Sequence, residues 1–408
     1  MANQEHIALL QQGAERWNQW RKDNPQIVPD LSEANLYGQN LSDYNLERAN
    51  LSRSNLSQAS LQNIKLVKAN LQGANLLNTN LQTVDLQGAN LDYVIFKQTQ
   101  IDSSSIVDAK AYQIWEIVNR GAANRNLQGI DLSYSTLFQV DLSNADLNNA
   151  NLSNANLSNA NLSSAYLCQT NLESANFSHA NLKNAYFSHD NLNNVNFDGS
   201  NLQGANLRDA QLQFANFKNA NLDRHTIIEE KWHLVWEIVN QGAEEKDLAG
   251  ADLSNANLKK ANLKKANLSD SNLKNTDLRG ANLSEANLTN VDLMSSELQG
   301  VRLESAILTK AKIPESLPQL PSQVVAPDIN AVPLAANLPD PPEPNTNTII
   351  SAQEESVSSQ TQLLDSKTKV NWLIPLVLLV AIAVGAYFFW KAIPKDNDNF
   401  LPPPVQEN

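Results

Sequence analysis

The chain has 408 residues and a formal charge of −13, from 43 acidic and 30 basic residues. Its single cysteine, Cys168, excludes an internal disulfide and a cysteine-built zinc cluster, and the acidic balance argues against general nucleic-acid binding. Five histidines stand singly along the chain, so metalloenzyme or thiol-enzyme chemistry has little to build on, and no cofactor is expected.

Residues 1–30 are polar and include Leu9-Leu10-Gln11-Gln12-Gly13-Ala14, the pattern of a helix stopped by glycine; they read as an N-terminal helical cap. From Leu31 a period of five takes over. Every fifth residue from Leu31 to Ile106 is Leu, Phe or Ile, and the same holds from Leu127 to Ile227 and from Leu248 to Ile313, 51 positions in all. The phase slips by one residue between blocks. A typical unit, Ala145-Asp146-Leu147-Asn148-Asn149, runs small, Asn or Asp, large apolar, then two polar residues. This is neither helical nor simple strand periodicity. A short alternation followed by a corner explains it: the small residue and the Leu face inward, the Asn or Asp between them faces out, and the last two residues turn the chain. Winding such units brings each coil's backbone into register with the next. Proline would remove a ladder donor, and none of the sixteen prolines falls between Pro29 and Pro314.

These units resemble those of pentapeptide-repeat proteins, whose pattern is A(D/N)LXX, over about two thirds of the chain. The resemblance implies an all-β solenoid, a right-handed quadrilateral β-helix with four repeats per coil, here in three blocks (31–106, 127–227 and 248–313). At a spacing of about 4.8 Å per coil, that is roughly thirteen coils and a rod of roughly 60 Å. A 20-residue coil should stack Phe177, Phe197 and Phe217 in the core and Tyr166 on Tyr186 outside, and should pair Lys265 with Glu285. Asp190 occupies an inward small position, where Thr170 of the preceding coil offers a hydroxyl. Gln39 and Tyr44 also take small positions and mark an irregular first coil.

Two inserts, 107–126 and 228–247, separate the blocks. They are copies: Ile114-Trp115-Glu116-Ile117-Val118-Asn119 matches Val235-Trp236-Glu237-Ile238-Val239-Asn240, and each is followed by glycine within two residues. Each reads as a helix that caps or spaces a block, because a solenoid end exposes core and unpaired edges. A second reading makes Trp115, Trp232 and Trp236 a partner-docking face.

From 314 to 370 the chain is rich in Pro, Ser, Gln and Asn with a charge of −5, as expected of a disordered linker. Residues 371–391 then read as a transmembrane helix. Trp372 to Trp390 carries no charge, with Trp372, Tyr387 and Trp390 placed as interfacial aromatics. A polar tail, 392–408, follows. Lys367, Lys369, Lys391 and Lys395 are balanced about the span. With no signal peptide visible, the pattern is that of a tail-anchored protein with its solenoid facing the cytoplasm.

A search for catalytic motifs is empty: no P-loop, GxGxxG, HExxH or GxSxG occurs. His179 and His189 fall half a coil apart, on opposite faces. A DNA-mimicking, gyrase-binding role, known in some proteins with this repeat, needs a strongly negative rod. The blocks carry only −1, −4 and +2, and Lys259, Lys260, Lys264 and Lys265 make the third locally basic, first of all a solvated face, and alternatively a surface for anionic lipid or an acidic partner. The expectation is a non-enzymatic, membrane-anchored scaffold that binds a membrane-associated protein, with DNA mimicry and a purely structural spacer as alternatives.

Overall fold

A computed structural model describes residues 1–315 and 317. Apart from the first linker residues, the expected linker, transmembrane helix with Trp372, Tyr387 and Trp390, and polar tail lie outside the described residues. Among the described residues no helix is long and apolar enough to cross a membrane.

The corner is the unit from which the fold is built. In most repeats the Leu carbonyl accepts the N–H three residues on, as in Ala150 N–H to Leu147 O at 3.0 Å. The second turn residue is left-handed, with φ 60° at Asn149 and 59° at Asn154. That is the type II turn, whose third position favours Gly and Asn, the residues most common there. The outward Asn does two jobs. Its Oδ1 accepts the N–H two residues on, which fixes the turn, as in Ser158 N–H to Asn156 at 3.2 Å. Its Nδ2 donates to the Asn of the coil below, giving a side-chain ladder from Asn216 to Asn196 to Asn176 to Asn156 at 2.8, 2.9 and 3.2 Å.

Four corners close one coil. Parallel bridges join residues 20 apart, such as Asn156 to Asn176 and Asn267 to Asn287, with one bridging residue per side. The inward Leu and Ala columns fill the bore and are almost entirely buried. Phe177, Phe197 and Phe217 stack with centroids 5.8 and 5.6 Å apart, and Tyr166 lies on Tyr186 at 5.2 Å, as the 20-residue period requires. Inward Thr170 and Thr276 are tolerated because the hydroxyl reaches a turn carbonyl, Leu147 O at 2.9 Å and Leu253 O at 2.8 Å, whereas the inward hydroxyls of Ser200 and Ser271 are buried without a partner.

Two inward assignments are corrected. Ile106 and Ile227 close their blocks facing outward, 54% and 44% exposed. The phase slip occurs just before them, not inside the helical inserts. One extra residue in Asp102-Ser103-Ser104-Ser105 and in Asp223-Arg224-His225-Thr226 moves the bridge to Ile106 and Ile227, which pair with Asp85 and Asn206. In both corners the Asp carboxylate gathers the spare groups: Asp102 accepts from Ser104 N–H and Ser105 Oγ, and Asp223 from His225 N–H and Thr226 Oγ1.

Among the described residues four helices punctuate the solenoid. At the N-terminus α1 (Gln4–Leu10) and α2 (Ala14–Asp23) are separated by Gly13, whose φ of 97° starts α2 rather than ending one long helix. Trp17 Nε1 donates to Asn45 O at 2.8 Å, Asn18 Oδ1 accepts Asn45 N–H at 2.7 Å and Arg21 Nη2 reaches Glu47 O at 2.9 Å. These bonds satisfy the first coil's open edge along the side from Asn45 to Glu47. Tyr44, buried, ties its hydroxyl to Leu10 O at 3.0 Å, whereas Gln39 turns out to solvent.

Helices α3 (Ala109–Arg120) and α4 (Glu230–Gln241) splice the blocks by one device used twice. Trp115 Nε1 donates to Thr99 O at 3.1 Å. Asn119 donates to Phe96 O at 3.0 Å and accepts Gln98 N–H at 2.6 Å. In the second copy Trp236 bonds Ala220 O at 2.8 Å, while Asn240 bonds Phe217 O at 2.9 Å and Asn219 N–H at 2.6 Å. Each helix thus presents to the last coil the donor, from Trp, and the acceptor, from Asn, that a further coil would have presented, and adds a second donor to the turn carbonyl. The ladder resumes at once, with Ala122 N–H to Asp141 O and Ala243 N–H to Asn262 O at 2.9 and 2.8 Å. On another side the blocks meet directly, through Tyr93 N–H to Tyr134 O at 2.7 Å and Phe214 N–H to Asn255 O at 2.8 Å.

The tryptophan side chains are therefore seam components. Trp236→Phe should cost about 1–2 kcal/mol by leaving Ala220 O unpaired. Trp236→Ala should cost about 3–5 kcal/mol by also opening a cavity. Equilibrium urea unfolding of the two variants against the parent measures both.

Candidate functional site

The residues singled out in the sequence do not converge on one site. Trp115 and Trp232 are buried, and Trp236 is half-buried with its indole N–H committed to Ala220. Arg120 covers the Trp115 ring at 5.3 Å and Lys231 covers Trp232 at 4.9 Å. A docking face of exposed indoles is not what the seams present; burial and hydrogen bonding consume them.

The four lysines divide into two pairs. Lys265 Nζ bonds Glu245 at 3.0 Å, the Glu one coil before it, rather than the expected Glu285. Lys264 takes Glu285 at 3.6 Å and Glu244 at 3.9 Å. A lysine in a 20-residue column has a carboxylate on both sides to choose from, which is why spacing alone does not select the partner. Such exposed pairs contribute little stability.

Lys259 and Lys260 instead line a cleft of about 380 Å³ at the seam between the second and third blocks, with Asn216, Lys218, Asn257 and Arg279. Asp277 forms its floor, and Arg279 clasps it bidentately, Nε to Oδ1 at 2.8 Å and Nη2 to Oδ2 at 2.6 Å. Burial raises the Asp277 carboxyl, but the Arg279 guanidinium and backbone outweigh it and hold the pKa below the usual value. The cleft exists because α4 stands in for a coil here. Among the described residues, no hydrogen bond crosses from Asn216–Lys218 to Asn257–Lys260. Lys218 was not picked out from the sequence, although the copied inserts, 121 residues apart, would have aligned it with Lys97.

The chemistry of the remaining candidates is spare. Among the described residues no cluster of His, Cys, Asp and Glu could hold a metal ion. His189 lies 3.6 Å from Asp209, and Cys168 is half-buried and unpaired. Asp190 is fully buried. Its Oδ1 accepts the Thr170 backbone N–H at 2.8 Å, not the hydroxyl, which is spent on Leu147 O. Its Oδ2 has no partner.

A family profile of pentapeptide repeats matches residues 30–66, 64–100, 126–163, 150–188, 191–224, 245–275 and 271–309, more than half of the chain. The chain belongs to the pentapeptide-repeat family. Membership gives the four-sided coil its hand, a right-handed quadrilateral β-helix. Similar solved structures include HetL from Nostoc sp. strain PCC 7120, a pentapeptide repeat protein involved in heterocyst differentiation regulation, at 22% identity over 70% of this chain and 90% of that one, with a TM-score of 0.16. Rfr23 from Cyanothece 51142 is 26% identical over 30% and 100% of the two chains, with a TM-score of 0.20. QnrB1, a plasmid-mediated fluoroquinolone resistance protein, is 21% identical over 45% and 88%, also at 0.20. Superpositions this poor carry no argument about function. No curated protein matches the sequence.

Within this pentapeptide-repeat solenoid, Asp190 departs most sharply from the repeat pattern. Burial pushes its carboxyl from 3.8 up to about 8, although the Thr170 and Gln169 N–H groups pull the other way. The unfolded chain releases this proton near the ordinary value, and the fold retains it to about pH 8. Stability contributed here is therefore fullest below about pH 4, falls as pH rises from there towards 8, and is lowest above. Asp190→Asn keeps the acceptor and removes the charge. Calorimetry should show the variant melting higher than the parent at about pH 9 and close to it below about pH 4.

Proposed function

We propose that the protein is a non-enzymatic scaffold, a rigid interaction solenoid held at a membrane surface by the segment Trp372–Trp390. The observation that carries the reading is the use of side-chain chemistry in the described residues. Asn amides, indole N–H groups and buried threonine hydroxyls are spent on corners, ladders and seams, which leaves long faces of exposed polar side chains. Extended faces of this kind suit multipoint protein binding. Family membership agrees with such a role, since pentapeptide-repeat proteins are generally structural or interaction proteins. The anchoring half of the proposal rests on sequence: nineteen uncharged residues flanked by aromatics and lysines. A linker of the length and composition of 314–370 would let the solenoid reach partners in the same membrane at raised effective concentration.

The test is affinity capture from detergent-solubilised native membranes, with the full chain and with a Leu379→Arg, Ile382→Arg variant. Each arginine at the middle of a span costs about 2.5–3.5 kcal/mol of insertion. The parent should resist alkaline extraction and bring down a defined membrane protein; the variant should be extracted and lose that protein. Extraction of both alike would sink the anchor, and an identical set of captured proteins would sink the membrane partner.

A further inference from the structure

The two seams are copies, so each serves as a control for the other. At the first, Lys97 Nζ reaches across and donates to Gln139 Oε1 at 3.0 Å. The residues 121 positions on are Lys218 and Lys260. Where the first seam closes with a hydrogen bond, the second opposes two cations that cannot bond each other. The neighbouring positions change in the same direction: Phe138 and Ser158 of the first seam correspond to Lys259 and Arg279 of the second.

The cations at the second seam are also distinct from the others around it. Lys231, Lys246, Lys264 and Lys265 each have a carboxylate within 4 Å, at Asp252, Glu237, Glu285 and Glu245. Among the described residues Lys218, Lys259 and Lys260 have none, and the one carboxylate at their floor, Asp277, is already neutralised by Arg279. Between them the Asn ladder is interrupted. Asn216 donates down to Asn196, and among the described residues no amide bonds Asn216 from above.

The cleft does not end at the lysines. A second hollow of about 500 Å³ shares Asn216, Asn257, Asp277 and Arg279 with it and runs on past Phe214 to Glu297. The result is a groove, basic at one end, with exposed amides along it and an apolar ring and a carboxylate at the other. Resting on the interaction role proposed above, we propose that this groove docks an extended acidic segment of a partner protein, its Asp or Glu side chains held by Lys218, Lys259 and Lys260. A concave, elongated site fits a chain better than it fits a flat lipid surface. The nearby acids, Asp198, which accepts from Asn219 Nδ2 at 2.9 Å next to Lys218, and the lining carboxylates Asp277 and Glu297, disfavour a long nucleic-acid backbone while leaving room for a few carboxylates at the lysines.

The experiment uses the full chain in non-ionic detergent, with a fluorescein-labelled hexaglutamate peptide read by fluorescence anisotropy at low salt. Binding should be seen and should weaken as salt is raised. Lys218→Gln with Lys260→Gln should weaken it about tenfold or more, the loss of about 1.4 kcal/mol or more. Lys264→Gln with Lys265→Gln, which removes the same charge from already paired positions, should change it less than about twofold. No binding at millimolar peptide, an equal loss in both double variants, or tighter binding of pyrophosphate or of a single-stranded oligonucleotide than of the peptide would each overturn the proposal. None of those outcomes bears on membrane capture, so the scaffold reading stands or falls separately.

Discussion

The structure depends on a backbone ladder that must find a partner every 20 residues. Each side of the coil contributes a single bridging residue, so no strand is long enough to be stable alone. Stability comes from stacking: Leu, Ala and Phe columns exclude water from the bore, and N–H and C=O groups pair along the rod axis. This explains the intolerance of proline, the recurrence of Asn at the outward position, and the need for something to meet the ladder wherever coils stop.

That last need shapes the helices. An abrupt end would leave edge groups such as Ala220 O and the Asn219 N–H without partners, each costing about 1–3 kcal/mol. A helix cannot pair with a strand edge through its own backbone, whose groups are used internally. It offers side chains instead, and Trp and Asn four residues apart on α3 and α4 supply an indole donor, an amide donor and an amide acceptor at the spacing of the edge. The N-terminal cap solves the opposite edge with Trp17, Asn18 and Arg21. The price of the splice is the gap on one side of each seam, closed by Lys97 and Gln139 in one case and left open among cations in the other.

Much of this was legible in the sequence, because a period of five with a coil of 20 converts directly into columns. The Phe and Tyr stacks, the helix-ending glycines at 121 and 242, and the outward place of Asn follow from spacing alone. The outward turn of Ile106 and Ile227 did not, because an apolar residue in phase looks inward until the extra residue in the Asp-led corner is located. The partner of Lys265 was missed because Glu245 and Glu285 are both one coil away. The Asp190 contact was placed on the right residue and the wrong atom, since Thr170 has a nearer carbonyl for its hydroxyl. Lys218 escaped notice because its company, Lys259, Lys260 and Arg279, lies across an insert whose path only the fold reveals.

The central claim is that the helices continue the ladder rather than interrupt it. Native-state hydrogen exchange on the Gln98 and Asn219 amides tests this most directly, because each donates only to the side-chain oxygen of a seam asparagine, Asn119 or Asn240. The account requires both amides to be protected about as strongly as mid-block amides such as Asn156 and Asn176. Exchange at the rate of exposed turn amides, with the mid-block amides still protected, would show that the blocks are separate solenoids tethered by helices, and would contradict it.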